Sequence, residues 1–196
     1  MALIIINGEA RTGKDTVANI LMKNMKDECI IVSSIDPIKN SVKEIISISD
    51  EKIKADNYRI FLSEVKDAWV KYNDGAFNYI KYEYINYCQN GKKSNLITFI
   101  REPSEIDKLK TWIDTEKKNI LKIKNIIPEY MCECISLYIS TKFDEDNTEK
   151  ISREPKELMD KWGNISSYKY DYYIHNDKSL YDLKKECINF LEKYNL

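Results

Sequence analysis

The residues from Gly8 to Thr16 have the types and spacing of a phosphate-binding loop. Four residues separate Gly8 from Gly13, and Lys14 follows directly, which gives the pattern G-x-x-x-x-G-K. Glycines at these positions allow a tight turn whose backbone N–H groups point inward, and the lysine adds a mobile positive charge. The sequence therefore predicts a loop that binds the triphosphate of a nucleotide, formed by Gly8, Arg11, Thr12, Gly13, Lys14, Asp15 and Thr16.

The position after Lys14 differs from the usual pattern, which places a serine or threonine there as a ligand of Mg²⁺. Here Asp15 occupies that position and Thr16 follows it. Carboxylate and hydroxyl oxygens suit this hard cation, so we expect Asp15 and Thr16 to hold Mg²⁺ directly or through water.

The elements around the loop follow the order that such a site needs. An apolar run at 3–7 predicts a strand, and apolar residues at helical spacing within 16–27 predict the following helix. Further strands are predicted at 29–33, 96–100, 135–140 and 170–174, with a final amphipathic helix at 180–194. Strands that alternate with helices indicate an α/β fold of three layers, with a parallel five-stranded sheet flanked by helices.

Charged residues follow two of these predicted strands. Asp36 and Lys39 are expected in a turn after the second strand. Arg101 and Glu105 come after the third, where Pro103 predicts the beginning of a helix. Ligands of open α/β sheets lie at the carboxyl ends of the strands, so these side chains are candidates for substrate binding.

The composition indicates a single globular domain over residues 1–196, because 43% of the residues are hydrophobic. The 31 basic and 32 acidic residues nearly balance, which gives no reason to expect a nucleic-acid polymer or a membrane as partner. The apolar start is too short for a signal peptide, so we expect a cytoplasmic protein.

Cysteine and histidine usage argues against two other kinds of site. The five cysteines are odd in number and scattered, which favours reduced thiols, and the Cys132–Cys134 pair lacks partners for zinc. His175 is the single histidine, so a mechanism that depends on a histidine base is disfavoured.

Three separated pieces of the chain resemble the P-loop deoxynucleoside monophosphate kinases of bacteriophages and bacteria, within the nucleoside monophosphate kinase group. They are 8–16 (GEARTGKDT), 101–105 (REPSE), which is similar to the family's R-x-P-x-E element, and 170–180 (YDYYIHNDKSL), which is similar to its terminal strand and turn. Their order and approximate spacing agree with that family, whereas the intervals between them match it poorly.

This resemblance implies transfer of the γ-phosphoryl group of ATP, with Mg²⁺, to a nucleoside or deoxynucleoside monophosphate. Small nucleotides would be the partners of a monomer or homodimer. On the ATP side, the resemblance implies that Lys14 contacts the β- and γ-phosphates, that Thr16 contacts the α-phosphate, and that Asn176 and Asp177 lie near the adenine. On the acceptor side, it implies that Arg101 contacts the acceptor phosphate or the transferring group and that Asp36 lies near the acceptor or the metal. Arg59 would serve as a phosphate clamp.

Two long intervals interrupt the alternation of strands and helices. The interval 38–95 is helical in pattern and rich in aromatic residues, and we interpret it as an acceptor-binding insertion. Its aromatics either stack a base or form the core of the insertion: Trp69, Tyr72, Phe77 and Tyr79. The interval 141–169 is highly charged. It is either a lid that delivers Arg153 as a catalytic cation or a solvated surface, and the sequence favours neither.

Alternatives to a monophosphate kinase stay open at this point. A kinase of another small phosphorylated metabolite, of the dephospho-coenzyme A or phosphomevalonate type, would have the same strand–loop–helix unit and a lid. Phe99 occupies the position where the family usually has an aspartate, which leaves open a nucleotide-binding regulator without catalysis.

Overall fold

A parallel β-sheet forms the centre of the structure. The computed structural model describes residues 2–9, 11–46, 56–89, 94–123, 133–141 and 165–196. Its strands are β1 Ala2–Asn7, β2 Glu28–Ser33, β3 Ser94–Phe99, β4 Glu133–Ser140 and β5 Tyr172–His175. They pair in the order β2-β3-β1-β4-β5, and every pairing is parallel. The predicted parallel five-stranded sheet is confirmed.

Helices connect the strands. They are α1 Lys14–Asn24, α2 Asp36–Ile46, α3 Asp56–Asn73, α4 Gly75–Gln89, α5 Pro103–Ile123 and α6 Leu180–Lys193, with a short 3-10 helix at Ile165–Ser167. The start of α6 has a capping box, in which Ser179 and Asp182 satisfy each other's backbone N–H groups. The helices expected after the phosphate loop, near Pro103 and at the end of the chain are all present.

The sheet has a hydrophobic core on each face, as the three-layer prediction requires. Ile4 and Ile6 of β1 pack on one face against α1 and α6, and Leu3 and Ile5 pack on the other against α4 and α5. The uninterrupted apolar sequence of β1 follows from this arrangement, because a strand covered by helices on both faces has no solvent side.

The helical interval after β2 begins earlier than the sequence suggested. Asp36 and Lys39 were expected in a turn, but Asp36 is the first residue of α2 and Lys39 lies in the first turn of that helix. Pro37 explains the difference, since proline is suited to the first helical turn. Asp36 Oδ2 also accepts the N–H of Ser33 at 2.8 Å, which joins the helix directly to the end of β2.

The aromatic-rich interval 38–95 is mainly helical over its described residues, as predicted, and its last two residues, Ser94 and Asn95, belong to β3. Helices α2 and α3 share a separate hydrophobic cluster that contains Ile38, Val42, Tyr58 and Leu62. Of the charged interval 141–169, residues 142–164 lie outside the described residues. Ile165 packs into the core on the α5 face of the sheet. None of the helices in the described ranges has the length and apolar character needed to cross a membrane.

Candidate functional site

The loop between β1 and α1 requires glycine at two positions. Gly8 and Gly13 have φ angles of 148° and 88°, a region that side-chain-bearing residues rarely adopt. A Cβ atom on Gly8 would lie 2.4 Å from the carbonyl oxygen of Ile139, and one on Gly13 would lie 2.6 Å from Nδ2 of Asn176. Both conformation and space therefore explain the glycines of the motif.

Hydrogen bonds hold the loop in this shape. Thr12 is buried and its Oγ1 donates to the carbonyl of Glu9 at 3.0 Å, while Asn176 Nδ2 donates to the carbonyl of Thr12 at 3.0 Å. Asn176 thus anchors the loop from the end of β5. The same edge carries His175, whose Nδ1 lies 2.7 Å from Oγ of Ser140.

Lys14 extends over the start of the loop. Its Nζ donates to the carbonyl of Gly8 at 2.8 Å and also to that of Glu9. Lys14 is the first residue of α1, so its charge adds to the positive end of that helix dipole and to the first free N–H groups. This combination suits a polyphosphate.

The metal-binding residues predicted from the sequence, Asp15 and Thr16, are exposed in the first turn of α1. Within the described ranges, no three His, Cys, Asp or Glu side chains cluster in a way that would hold a metal ion. Mg²⁺ in nucleotide sites takes only one or two protein oxygens and completes its shell with phosphate and water. The donors present therefore fit Mg²⁺ that arrives with a nucleotide.

Asn176 and Asp177 follow β5 directly, and the Asn176 N–H donates to the carbonyl of Ser140 at 2.8 Å. The structure therefore brings this predicted adenine-side pair next to the phosphate loop. Arg11 also lies in the loop, with a positive φ of 62° and an exposed side chain.

A pocket lies at the ends of β2 and β3, on the side of the sheet covered by α4 and α5. Its walls combine apolar and ionisable side chains: Ser34, Lys66, Phe77, Ile80, Ile100 and Glu105. The predicted substrate residue Glu105 is therefore part of this pocket. Burial raises the pKa of the Glu105 carboxyl, and the charges of Lys108 and Lys66 partly offset that effect.

Lys66 brings a positive charge to the pocket from α3. Its Nζ donates to both carboxylate oxygens of Glu102, at 2.7 and 2.6 Å, and the two side chains are only 12% and 20% exposed. Lys66 was not among the site residues predicted from the sequence. The available signal was spacing, because Arg59, Ser63 and Lys66 lie four and three residues apart and share one face of a helix.

Arg59, the predicted phosphate clamp, has an unpaired hydrogen-bond donor. Its Nη1 is buried, and no partner for it is found in the described part of the chain. A buried donor without an acceptor carries a desolvation cost that an anion would relieve, and guanidinium groups bind phosphate strongly. Arg101, the predicted contact of the transferring group, follows β3, and its carbonyl accepts from Asn7 Nδ2 at 2.9 Å.

Other predicted substrate residues have structural contacts in this arrangement. A Cβ atom on Gly75 would lie 2.1 Å from the indole of Trp69, so Trp69 packs closely on the turn between α3 and α4. Asp36 forms an ion pair with Lys39 at 3.5 Å. Phe99 packs against the core beneath α1. Roles of Trp69, Asp36 and Lys39 in binding stay predictions, and Arg153 lies outside the described residues.

Three cysteines in the described part of the chain agree with the interpretation of reduced thiols. Cys29, Cys134 and Cys187 are free, and burial raises the pKa of both the Cys29 and the Cys187 thiol to about 12. Thiols with such values carry little thiolate at neutral pH and are poor nucleophiles.

Comparison with known proteins gives similar structures at low sequence identity. No protein-family model matches the chain, and no curated protein matches it significantly. The chain is similar to the shikimate kinase of Aquifex aeolicus (15% identity, 98% of each chain covered, TM-score 0.48). A putative kinase from Chloroflexus aurantiacus is also similar (17% identity, 98% of this chain and 94% of the other, TM-score 0.49). So is the dephospho-CoA kinase of Campylobacter jejuni (13% identity, 97% and 96% covered, TM-score 0.42). Because the identities and TM-scores are this low, function is inferred below from the site's own residues.

Proposed function

We propose that the protein transfers the γ-phosphoryl group of ATP to the phosphate of a nucleoside or deoxynucleoside monophosphate. The observation that carries this proposal is the placement of two complementary sites on one edge of the sheet. The phosphate loop follows β1, and the pocket with Lys66 and Glu105 lies at the end of β3, the strand that pairs with β1. Adjacent strands are about 5 Å apart, so ligands bound after them would lie next to each other.

The donor side contributes positioning and charge. Lys14, the loop N–H groups and the helix dipole of α1 would neutralise the β- and γ-phosphates, and Asn176 keeps the loop in shape. Asp15 and Thr16 would hold Mg²⁺, which when bound supplies positive charge to the phosphates. Phosphoryl transfer needs little more from a protein than such positioning and electrostatic stabilisation.

The acceptor side offers apolar and ionisable side chains to a molecule that combines a flat apolar part with a phosphate: Phe77, Ile80 and Ile100 are apolar, and Glu105 has a carboxyl group for hydrogen bonds from a base. The cavity itself has a volume of about 10 Å³, which is room for one water, so an acceptor binds here only if the pocket widens. Arg59 has a buried donor for which the described residues provide no acceptor, and Arg101 lies just past the end of β3. We assign these two cations to the acceptor phosphate and the transferring group, in agreement with the resemblance to monophosphate kinases.

A second candidate function follows from Phe99. The side chain at this strand end is apolar and packed into the core, so it gives no carboxylate to the site. A regulator that binds ATP without transferring phosphate would tolerate this, whereas a kinase would use another acid such as Asp15. A kinase of another small phosphorylated metabolite would need the same cations and a differently shaped pocket.

A coupled assay of ADP release separates these functions. Purified protein with ATP and Mg²⁺ is tested against ribonucleoside and deoxyribonucleoside monophosphates, dephospho-coenzyme A and phosphomevalonate. We expect ADP release that depends on a monophosphate and is accompanied by the corresponding diphosphate. Release with another acceptor alone contradicts the proposed substrate class. Tight ATP binding without release for any acceptor supports the regulator instead.

A further inference from the structure

Asn7, the last residue of β1, is fully buried, and both amide N–H groups and the carbonyl oxygen of its side chain are used. Its Nδ2 donates to the carbonyl of Arg101 at 2.9 Å and to the hydroxyl of Tyr170 at 2.8 Å, while its Oδ1 accepts the N–H of Gly8 at 2.7 Å. An asparagine amide has two N–H donors, and both are satisfied here. The orientation is fixed, because the reverse orientation would put an oxygen against the Arg101 carbonyl.

The three partners of Asn7 belong to three different parts of the site. Gly8 begins the phosphate loop, and Arg101 begins the segment that follows β3 and leads to the pocket. Tyr170 in turn donates its hydroxyl proton to the carbonyl of Ile165 at 3.0 Å. One buried side chain therefore connects the donor loop, the acceptor segment and the segment that leads into β5.

Tyr170 is itself held firmly. It is buried, and its ring stacks on that of Tyr138 with centroids 4.8 Å apart. Its backbone N–H donates to the hydroxyl of Tyr173 at 3.0 Å. Because Tyr170 is held in place, its hydrogen bond with Asn7 fixes the Asn7 side chain relative to the segment before β5.

We propose that Asn7 is a positioning residue that, together with Tyr170, fixes the phosphate loop relative to the Arg101 segment. The structural part of this inference rests on the hydrogen bonds alone. Its catalytic consequence rests on the proposed function. Asn7 acts through the backbone of Gly8 and Arg101. Transfer between two bound phosphates is sensitive to their alignment, and a displacement of about 1 Å can cost about a hundredfold in rate.

Asn95 offers a matched control. It is also a buried asparagine of the sheet, and its Oδ1 accepts the N–H of Ala2 at 2.8 Å at the opposite, amino-terminal edge. Asn7→Asp and Asn95→Asp make the same chemical change and leave an acceptor for the backbone N–H. Only Asn7→Asp removes the donors to Arg101 and Tyr170.

The test measures backbone amide hydrogen exchange of the full chain without ligands. Each variant is measured at the same number of degrees below its own Tm. We expect Asn7→Asp to accelerate exchange on the order of tenfold in the segments 99–106 and 165–170, because both lose a buried hydrogen bond. Asn95→Asp should accelerate neither segment. Equal exchange in the two variants, or faster exchange in only one of the two segments, overturns the proposal.

Tyr170→Phe keeps the test decisive if Asn7→Asp does not fold, since it removes one hydroxyl and retains the packed ring. Its control is Tyr194→Phe, whose lost hydroxyl donates to the carbonyl of Asp171 at 3.3 Å rather than to Asn7 or Tyr170. We expect Tyr170→Phe, and not Tyr194→Phe, to accelerate exchange in 99–106. The absence of that difference contradicts the link through Asn7.

Kinetics give the catalytic readout. Asn7→Asp retains the acceptor for Gly8, so kcat should fall about tenfold or more, which exceeds any rise in the Kd of MgATP that the new carboxylate causes at the phosphate loop. A purely structural role would lower kcat and the amount of protein that binds MgATP by the same factor, through loss of folded protein, and Asn95→Asp reports that effect. If the wild-type protein phosphorylates no acceptor, the proposed function fails, and the exchange experiments still decide the positioning role.

Discussion

The two edges of the site are built differently. The donor edge, which we define as residues 8–16 with Asn176, is formed by backbone N–H groups, two glycines with positive φ and one helix terminus. The acceptor edge, which we define as Ser34, Lys66 and residues 101–105, is formed by side chains from the turn after β2, from α3 and from the segment after β3. Arg59 is assigned to it by the proposed function. A backbone site recognises phosphate whatever else the ligand carries. A side-chain site is where substrate preference is determined.

Replacement of Lys14 tests the donor edge with the largest expected effect. Lys14→Ala removes the charge that would face the β- and γ-phosphates, so we expect transfer to fall on the order of a thousandfold and ATP binding to weaken. Lys23→Ala, in the exposed last turn of the same helix, is the control. Isothermal titration and ADP release measure both; equal values for Lys14→Ala and wild type would refute the assignment of the loop.

Replacement of Gly13 tests whether the donor edge depends on backbone geometry. Gly13→Ala forces a side chain into φ 88° and against Asn176, so we expect a loss of about 1–3 kcal/mol of stability and weaker ATP binding. Asn176→Ala removes the close contact but not the backbone strain, and it also removes the hydrogen bond to the Thr12 carbonyl. Measured against Asn176→Ala as the reference in urea unfolding, Gly13→Ala should therefore cost less stability than in the wild type, but still a measurable amount. No cost in that background would show that crowding alone explains the glycine.

Replacement of Lys66 tests the acceptor edge. Lys66→Met should raise the acceptor KM on the order of tenfold and leave the Kd of MgATP unchanged, because Lys66 lines the acceptor pocket. It also leaves Glu102 unpaired, at a cost in stability of roughly 2–4 kcal/mol.

The double variant Lys66→Met with Glu102→Gln should regain stability without regaining the acceptor KM. Lys71→Met, on an exposed position of α3, is the control for a lost charge on that helix. A change in ATP affinity as large as the change in acceptor KM would contradict the division between the two edges.

Asp171 lies outside both edges, and its replacement has the smallest effect that we predict, which is a loss of stability. Burial raises the pKa of its carboxyl, but hydrogen bonds from Lys110 and from the N–H and hydroxyl of Ser136 outweigh burial and leave the pKa below its usual value. The folded state therefore favours the charged form. The stability from this group is present above the pKa of the unfolded chain and is lost as pH falls through the lower folded value.

We expect Asp171→Asn to lower stability by about 1 kcal/mol at pH 7, a modest effect because the carboxyl is partly exposed. The difference in Tm from wild type should shrink as pH falls below about 4. Thermal unfolding across that pH range checks this. A difference that stays constant with pH would mean that Asp171 acts through packing alone.

The sequence predicted the elements whose signals are local. An apolar run marks β1, Gly8 and Gly13 mark the loop, and Pro103 marks the start of α5, so the sheet and the donor edge could be inferred. Each of these signals lies within a few consecutive residues, because a turn or a strand depends mainly on its own sequence.

The acceptor edge depends on contacts between distant residues. Lys66 and Glu102 are separated by 36 positions, and Asn7 and Tyr170 by 163. The sequence separation of these pairs does not indicate that their residues are in contact, since their proximity follows from the packing of α3 and of the segment before β5. A polar Asn7 at the end of an apolar strand was the one local hint.

The measurement that tests the division of the site most directly is a hydrogen-exchange footprint with each ligand alone. MgATP should protect residues 8–16 and 175–177, and a mixture of the deoxynucleoside monophosphates should protect 100–106 and 59–69. Lys66→Met should abolish only the second footprint. Monophosphates that protect the phosphate loop instead, or MgATP that protects both edges with no further change on adding monophosphates, would contradict a donor edge and a separate acceptor edge.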